Sequence, residues 1–117
     1  MATDPDVAER ALIQRVIARL VTDIANPPDL AELAKEASLP PYQLSSIFGR
    51  ILGKSIPSVL RAKRMEIAAT LLLETDLQVG AFAAKVGYNN LRAFHQAFTL
   101  EIGLGPLTYR QGNPRRA

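Results

Sequence analysis

The chain has 117 residues, which reads as one domain with a modest hydrophobic core and too few residues for two independent cores. With 48% apolar residues it is a folding sequence, and with no cysteine it has neither disulfides nor thiolate metal sites, which fits a reducing cytoplasm. The net charge of +3 is unevenly spread: the stretch up to Asp29 carries five acids against three arginines, and the rest carries six acids against eleven bases. Between Ala37 and Met65 there is no acid, while Arg50, Lys54, Arg61, Lys63 and Arg64 all fall there. Such a one-sided basic stretch attracts a polyphosphate, or is simply a solvated face.

In chain order, Asp4-Pro5 opens a first helix whose apolar stripe is Ile13, Val16, Ile17, Leu20 and Ile24. Asn26-Pro27-Pro28 ends it. Asp29 with Glu32 three residues on is a capping-box start for the next helix. A middle helix spans about Ser58 to Glu74, with Val59, Leu60, Ile67, Ala68, Leu71 and Leu72 among its apolar positions, and Thr75-Asp76 interrupts it and caps its successor. No segment alternates with a two-residue period. No apolar run approaches the roughly 18 residues of a membrane span, and the acidic, amphipathic start is not a secretory signal.

An internal repeat organises the chain. Leu33-Ala34 through Gly53 matches Phe82-Ala83 through Gly103, at an offset of 49 in the first helices and 50 in the second, so the second copy has one extra residue in its turn. Each copy reads as a short helix, a tight turn and a helix of about 12 residues. The turns are Ser38-Leu39-Pro40 and Gly87-Tyr88-Asn89; Gly87 suits a positive φ, and Asn89 or Asn90 caps the helix that follows. In the first copy Leu44, Ile47, Phe48, Ile51 and Leu52 form a packing face, opposite Tyr42, Ser45, Ser46 and Gly49. In the second, Phe94, Ala97, Phe98 and Ile102 pack, opposite Arg92, His95, Gln96 and Thr99.

A helix-turn-helix makes the same demand: one face holds the second helix while the other meets base edges in the major groove. Arg92 has the chemistry to pair bidentately with guanine and Gln96 with adenine. His95, Tyr42, Ser45 and Ser46 complete the candidate base readers, against the plainer readings of solvated surface residues and, for Tyr42, of packing at a helix start. Arg50, Lys54, Arg61, Lys63 and Thr99 are candidate phosphate contacts. Arg64, inside the segment from Leu60 to Ala68, reads as structural, with a helical carboxylate as a partner. Tyr109-Arg110 reads as closing the C-terminal helix, and Arg115-Arg116 as a tail that touches DNA or trails. A lone His95 without cysteine or spaced carboxylates makes no metal site. No nucleophile with a base and no phosphate loop is present, so neither catalysis nor a cofactor is expected. The expected class is all-α: two helix-turn-helix subdomains joined by a long central helix, about seven helices. The boundaries read as a linker-like helix (1–28), a first unit (29–57), a connecting helix (58–75), a second unit (76–112) and a tail (113–117). A connecting helix of about 25 Å would set two readers about 34 Å apart, one turn of DNA.

From about Leu30 to Arg110 the sequence resembles the DNA-binding domain of the AraC/XylS family of transcription regulators. The resemblance rests on Glu32-Leu33-Ala34, Leu44 with Phe48 and Gly53, Leu60-x-x-x-Arg64 with Ile67-Ala68 and Leu71-Leu72, and Val86-Gly87-Tyr88. Phe94-x-x-x-Phe98-x-x-x-x-Gly103 and Gly105-Pro106-x-x-Tyr109-Arg110 complete it, about 80 residues in order. It implies seven helices, two reading units entering successive major grooves, double-stranded DNA as partner with RNA polymerase as a further one, no membrane and a cytoplasmic, nucleoid-associated location. Members of that family usually carry a separate sensing domain, so these residues read either as a complete small regulator or as the C-terminal piece of a longer one, and no small-molecule site is evident within them. Departures from the family's habits are Pro40 in place of a capping serine, Ser38 where glycine is frequent, and Ser46 and Gly49 where basic residues are common. Thr99 and Leu100 stand where lysines are usual, and Arg92 replaces a small polar residue. The sparse charge of both reading faces motivates the alternative of a protein-interaction module with degenerate readers.

Overall fold

A computed structural model describes residues 5–112; Asp4 and Arg115-Arg116 lie outside them. Seven helices and no strand are found among the described residues: α1 (Pro5–Thr22), α2 (Leu30–Glu36), α3 (Pro41–Leu52), α4 (Ile56–Glu74), α5 (Val79–Lys85), α6 (Leu91–Ile102) and α7 (Pro106–Gln111). The all-α, two-unit class expected from the pattern is the class observed. The chain divides into two compact units, one up to Leu60 and one from Arg61, so the division falls inside α4; each has its own core cluster, where the chain length pointed to a single core.

In the first unit α1 packs on α3, and α2 on α3. Ile13, Val16 and Leu20 of α1 share one core with Leu33, Ala34, Leu44, Ile47, Phe48 and Val59. The α1 helix stops at Thr22, four residues short of Asn26. A turn closed by Asn26 N–H to the Asp23 carbonyl (3.0 Å) intervenes, and leaves Ile24 outside the helical stripe. Asp29 caps α2 as expected, its carboxylate accepting from Glu32 N–H at 2.9 Å. In the second unit Met65, Ala68, Ala69 and Leu72 of α4 close over Phe82, Ala83, Val86, Phe94, Ala97 and Phe98.

The middle helix begins two residues earlier than its periodicity suggests. Ser55 is the cap, its hydroxyl accepting from Ser58 N–H (3.2 Å), and Pro57 sits in the first turn, where no N–H is required. The N-cap position of α5 falls two residues past Thr75-Asp76. That position belongs to Gln78, which makes no side-chain capping bond, while the Thr75 hydroxyl donates back to the Leu71 carbonyl (2.8 Å).

The turns of the two helix-turn-helix copies share their backbone bonds. Ser38 N–H to Lys35 carbonyl answers Gly87 N–H to Ala84 carbonyl, and Leu39 N–H to Ala34 carbonyl answers Tyr88 N–H to Ala83 carbonyl, all at the offset of 49. Leu44 N–H to Pro40 carbonyl then answers Phe94 N–H to Asn90 carbonyl at an offset of 50. The added residue of the second copy is therefore Asn89. Asn90 takes the capping role, its side chain accepting from Ala93 N–H at 3.1 Å, whereas Pro40 makes no side-chain cap.

Both turns need a left-handed residue. Gly87 has φ +100°, and Ser38 has φ +58° without glycine's freedom. A side chain in that region costs roughly 1–2 kcal/mol, part of which glycine forfeits through its larger unfolded-state entropy. Ser38→Gly is thus expected to stabilise the first unit by about 0.5–1 kcal/mol, read as a rise of a few degrees in melting temperature. A lower melting temperature would mean that the serine hydroxyl supports the turn.

Candidate nucleic-acid interface

The helices α3 and α6 are 12 residues each, and each ends on a left-handed glycine, Gly53 (φ +68°) or Gly103 (φ +91°). Each buries the face the spacing assigns. Leu44, Ile47 and Phe48 are buried in α3, as are Phe94, Ala97 and Phe98 in α6, with Ile51, Leu52 and Ile102 partly covered. Burying three such side chains per helix fixes each helix's rotation and leaves the opposite polar stripe facing water.

On α3, Tyr42, Ser45, Ser46 and Gly49 are all exposed. Tyr42 is 76% exposed, so it does not pack at the helix start. On α6, Arg92, Gln96 and Thr99 are exposed. His95 is half-buried, its ring meeting Phe94 edge-on at 6.4 Å, which restrains the imidazole at the boundary of core and surface. His95, Gln96, Thr99 and Leu100 line one open hollow. Leu100 is 85% exposed, an apolar side chain beside the polar stripe that polarity-based reading of the helix passes over.

The candidate phosphate contacts divide by what they already touch. Arg50 donates through Nη2 to the Glu9 carboxylate of α1, with Asp6 at 3.9 Å from Nη1. That hydrogen bond holds the Glu9 carboxyl below its ordinary range and raises Arg50. The pairing therefore stabilises above the ordinary carboxylate range and is lost as pH falls through Glu9's lowered value. Lys63 pairs with Glu66 one turn on, at 3.3 Å. Lys54 and Arg61 are exposed and enter no ion pair among the described residues.

Two cations serve the fold. The Arg64 guanidinium lies over the Tyr88 ring at 5.7 Å, which fits the structural role expected of it. Arg110 does more than close α7. Its Nε donates to the Leu72 carbonyl (3.0 Å) and its Nη2 to those of Thr75 (3.3 Å) and Leu77 (2.8 Å), while the guanidinium covers Phe82 at 5.1 Å. The end of α4 and the start of the next loop are thereby satisfied from 33 to 38 residues away. Only the Tyr109-Arg110 motif hinted at this in the sequence, because no local pattern marks so distant a partner. Tyr109 packs edge-on against Phe98 at 5.6 Å.

A helix-turn-helix domain model matches residues 33–112, both copies and everything between them. The chain belongs to the AraC/XylS family of transcription regulators. Membership makes it a DNA-binding domain serving transcription regulation. It is similar to the C-terminal domain of AraT, a response regulator from Geobacillus stearothermophilus, at 31% identity and a TM-score of 0.76, over 86% of this chain and 84% of that one. The same AraC-type architecture appears in the DNA-binding domain of AdpA, a global transcriptional factor solved with a target DNA. There the TM-score is 0.76 at 23% identity, over 97% of this chain and 96% of the other, and the likeness is one of fold. An uncharacterised helix-turn-helix regulator of Bacillus subtilis, YtdP, is 35% identical over 82 residues, or 70% of this chain. The chain spans 11% of that regulator's length. Among the described residues no helix is long and apolar enough to cross a membrane.

Proposed function

We propose that this domain binds operator DNA sequence-specifically through both α3 and α6. Supporting this is the pair of equal-length helices whose core faces are buried and whose polar faces, related by one offset, stand open. In α6, Arg92, His95 and Gln96 read base edges; in α3, Tyr42, Ser45 and Ser46 do so more weakly, having less directional donors. Arg50, Lys54, Arg61, Lys63 and Thr99 contact phosphate, and Arg50 reaches it by exchanging one anionic partner, Glu9, for another. The domain acts as a binder rather than a catalyst, in the cytoplasm at the nucleoid, with RNA polymerase as a further partner in transcription control.

Selection from a random duplex library of about 30 base pairs tests this reading. Two enriched half-motifs about 10 base pairs apart are expected, one for each reading helix. A single half-motif confines sequence reading to one helix. No enrichment by the folded protein would replace the proposal with a protein-interaction module.

Two substitutions separate the roles. Arg92→Ala is expected to weaken binding to the best site by about 1–3 kcal/mol and to relax preference at one base pair; an unchanged selected motif would remove Arg92 from the readers. Arg50→Ala is expected to weaken all sequences alike and to flatten the salt dependence by about one unit of slope. A sequence-selective loss in a titration series at several salt concentrations would contradict the phosphate role.

A further inference from the structure

Beside α3, wholly within the first unit, lies a cavity of about 660 Å³. That volume is in the range of about 300–1,000 Å³ typical of small-molecule sites. Its lining is mostly aliphatic and runs from the buried Leu20 and Leu33, through the partly buried Leu60, to the exposed Lys54. From α3 it takes Ser45 and Gly49, two positions of the outward stripe. Gly49 helps to keep the space open, since a Cβ built there meets no atom within 4 Å.

We propose that this cavity binds a small amphiphile, an aliphatic body bearing a single negative charge such as a monocarboxylate. The aliphatic walls take the body. The head is assigned by Lys54, the one cation of the lining, which forms no ion pair among the described residues. Asp29 also lines the cavity, its carboxylate accepting from Glu32 N–H; its charge repels an anionic head, which therefore seats at Lys54, and disfavours a second anionic group. Because Ser45 and Gly49 are shared with the reading stripe, ligand and DNA compete for the first reader. This consequence rests on the reading of α3 as a DNA-binding helix; the site itself does not.

The probe is 8-anilinonaphthalene-1-sulfonate, an apolar monoanion, with uncharged N-phenyl-1-naphthylamine as its control, added to the 117-residue chain. The expected result is saturable shifts of the Gly49, Gly53 and Ser55 amide resonances at one equivalent of the anion, with the neutral control about tenfold weaker. Octanoate is expected to displace the anion. Lys54→Gln is expected to erase the preference for charge. Gly49→Leu is expected to fill the cavity and abolish binding without lowering the melting temperature, since leucine is the better helix former. Shifts scattered over the protein, or binding unaltered by Gly49→Leu, overturn the site; the wild-type shift map decides even if that variant does not fold. Operator duplex is expected to displace the probe. Probe binding at the site that is indifferent to duplex would overturn the competition and the role of α3 while leaving the site standing.

Discussion

Replacing Phe98 by alanine is expected to destabilise the protein by about 3–5 kcal/mol and to remove the cooperative melting of the second unit. Phe98 is fully buried, lies 5.9 Å from the ring of Phe94 and receives the edge of Tyr109 at 5.6 Å. It thus joins α6 to α7 as well as to the α4–α5 side of the core. Truncation removes the ring's transfer free energy and leaves a cavity whose aromatic neighbours have lost their partner. A denaturant titration gives the loss directly, and heteronuclear spectra locate it. A wild-type melting curve would show that the packing face of α6 is misassigned. If the spectra show the loss confined to the second unit, DNA selection with the same variant should return the half-motif of α3 alone.

Arg110→Ala is expected to cost about 2–4 kcal/mol, a large effect for a residue near the end of the described chain. Three backbone carbonyls, of Leu72, Thr75 and Leu77, lose a charged donor, and Phe82 loses the guanidinium that covers its ring. Hydrogen bonds from charged groups contribute about 1.5–3 kcal/mol each when made singly, but one guanidinium making several gives less than their sum. Arg110→Lys is expected to recover only part of the loss, because a single ammonium cannot reproduce the planar fork. Hydrogen exchange at the C-terminal turn of α4 checks the mechanism: protection there should fall more than protection in α6. Uniform loss across the second unit would mean that Arg110 acts through packing over Phe82 and not through the carbonyls.

What could be read from the sequence was whatever local chemistry governs. The faces of α3 and α6 follow from 3.6-residue periodicity, the left-handed turn at Gly87 from its missing side chain, and the cap at Asp29 from a three-residue spacing. Where two local signals compete, reading slips. Asn26-Pro27-Pro28 is a strong stop, yet α1 ends at Thr22, where a turn at Asp23 intervenes first. Thr75 has a capping side chain, but its hydroxyl bonds back along α4 instead. Partners far apart in sequence were out of reach. Arg50 meets Glu9 across 41 residues and Arg110 meets Leu72 across 38, and nothing near either arginine announces it. The cavity beside α3 was equally hidden, because its lining comes from α1, α2, α3, α4 and the loops between them. Glycine at position 49 is its one visible trace.

Asn89 carries a consequence for how the two copies have diverged. The backbone bonds that close the turn end at Tyr88, and those that open the helix begin at Asn90. Between these two fixed geometries lies one residue on which neither depends. A repeated unit can change its length at such a seam while its partner keeps the shorter form, and both still arrive at a recognition helix of the same length. The one-residue mismatch is then a record of where this fold tolerates rewriting, and it marks the position at which a designer could lengthen or shorten a reading unit with the least disturbance to what it reads.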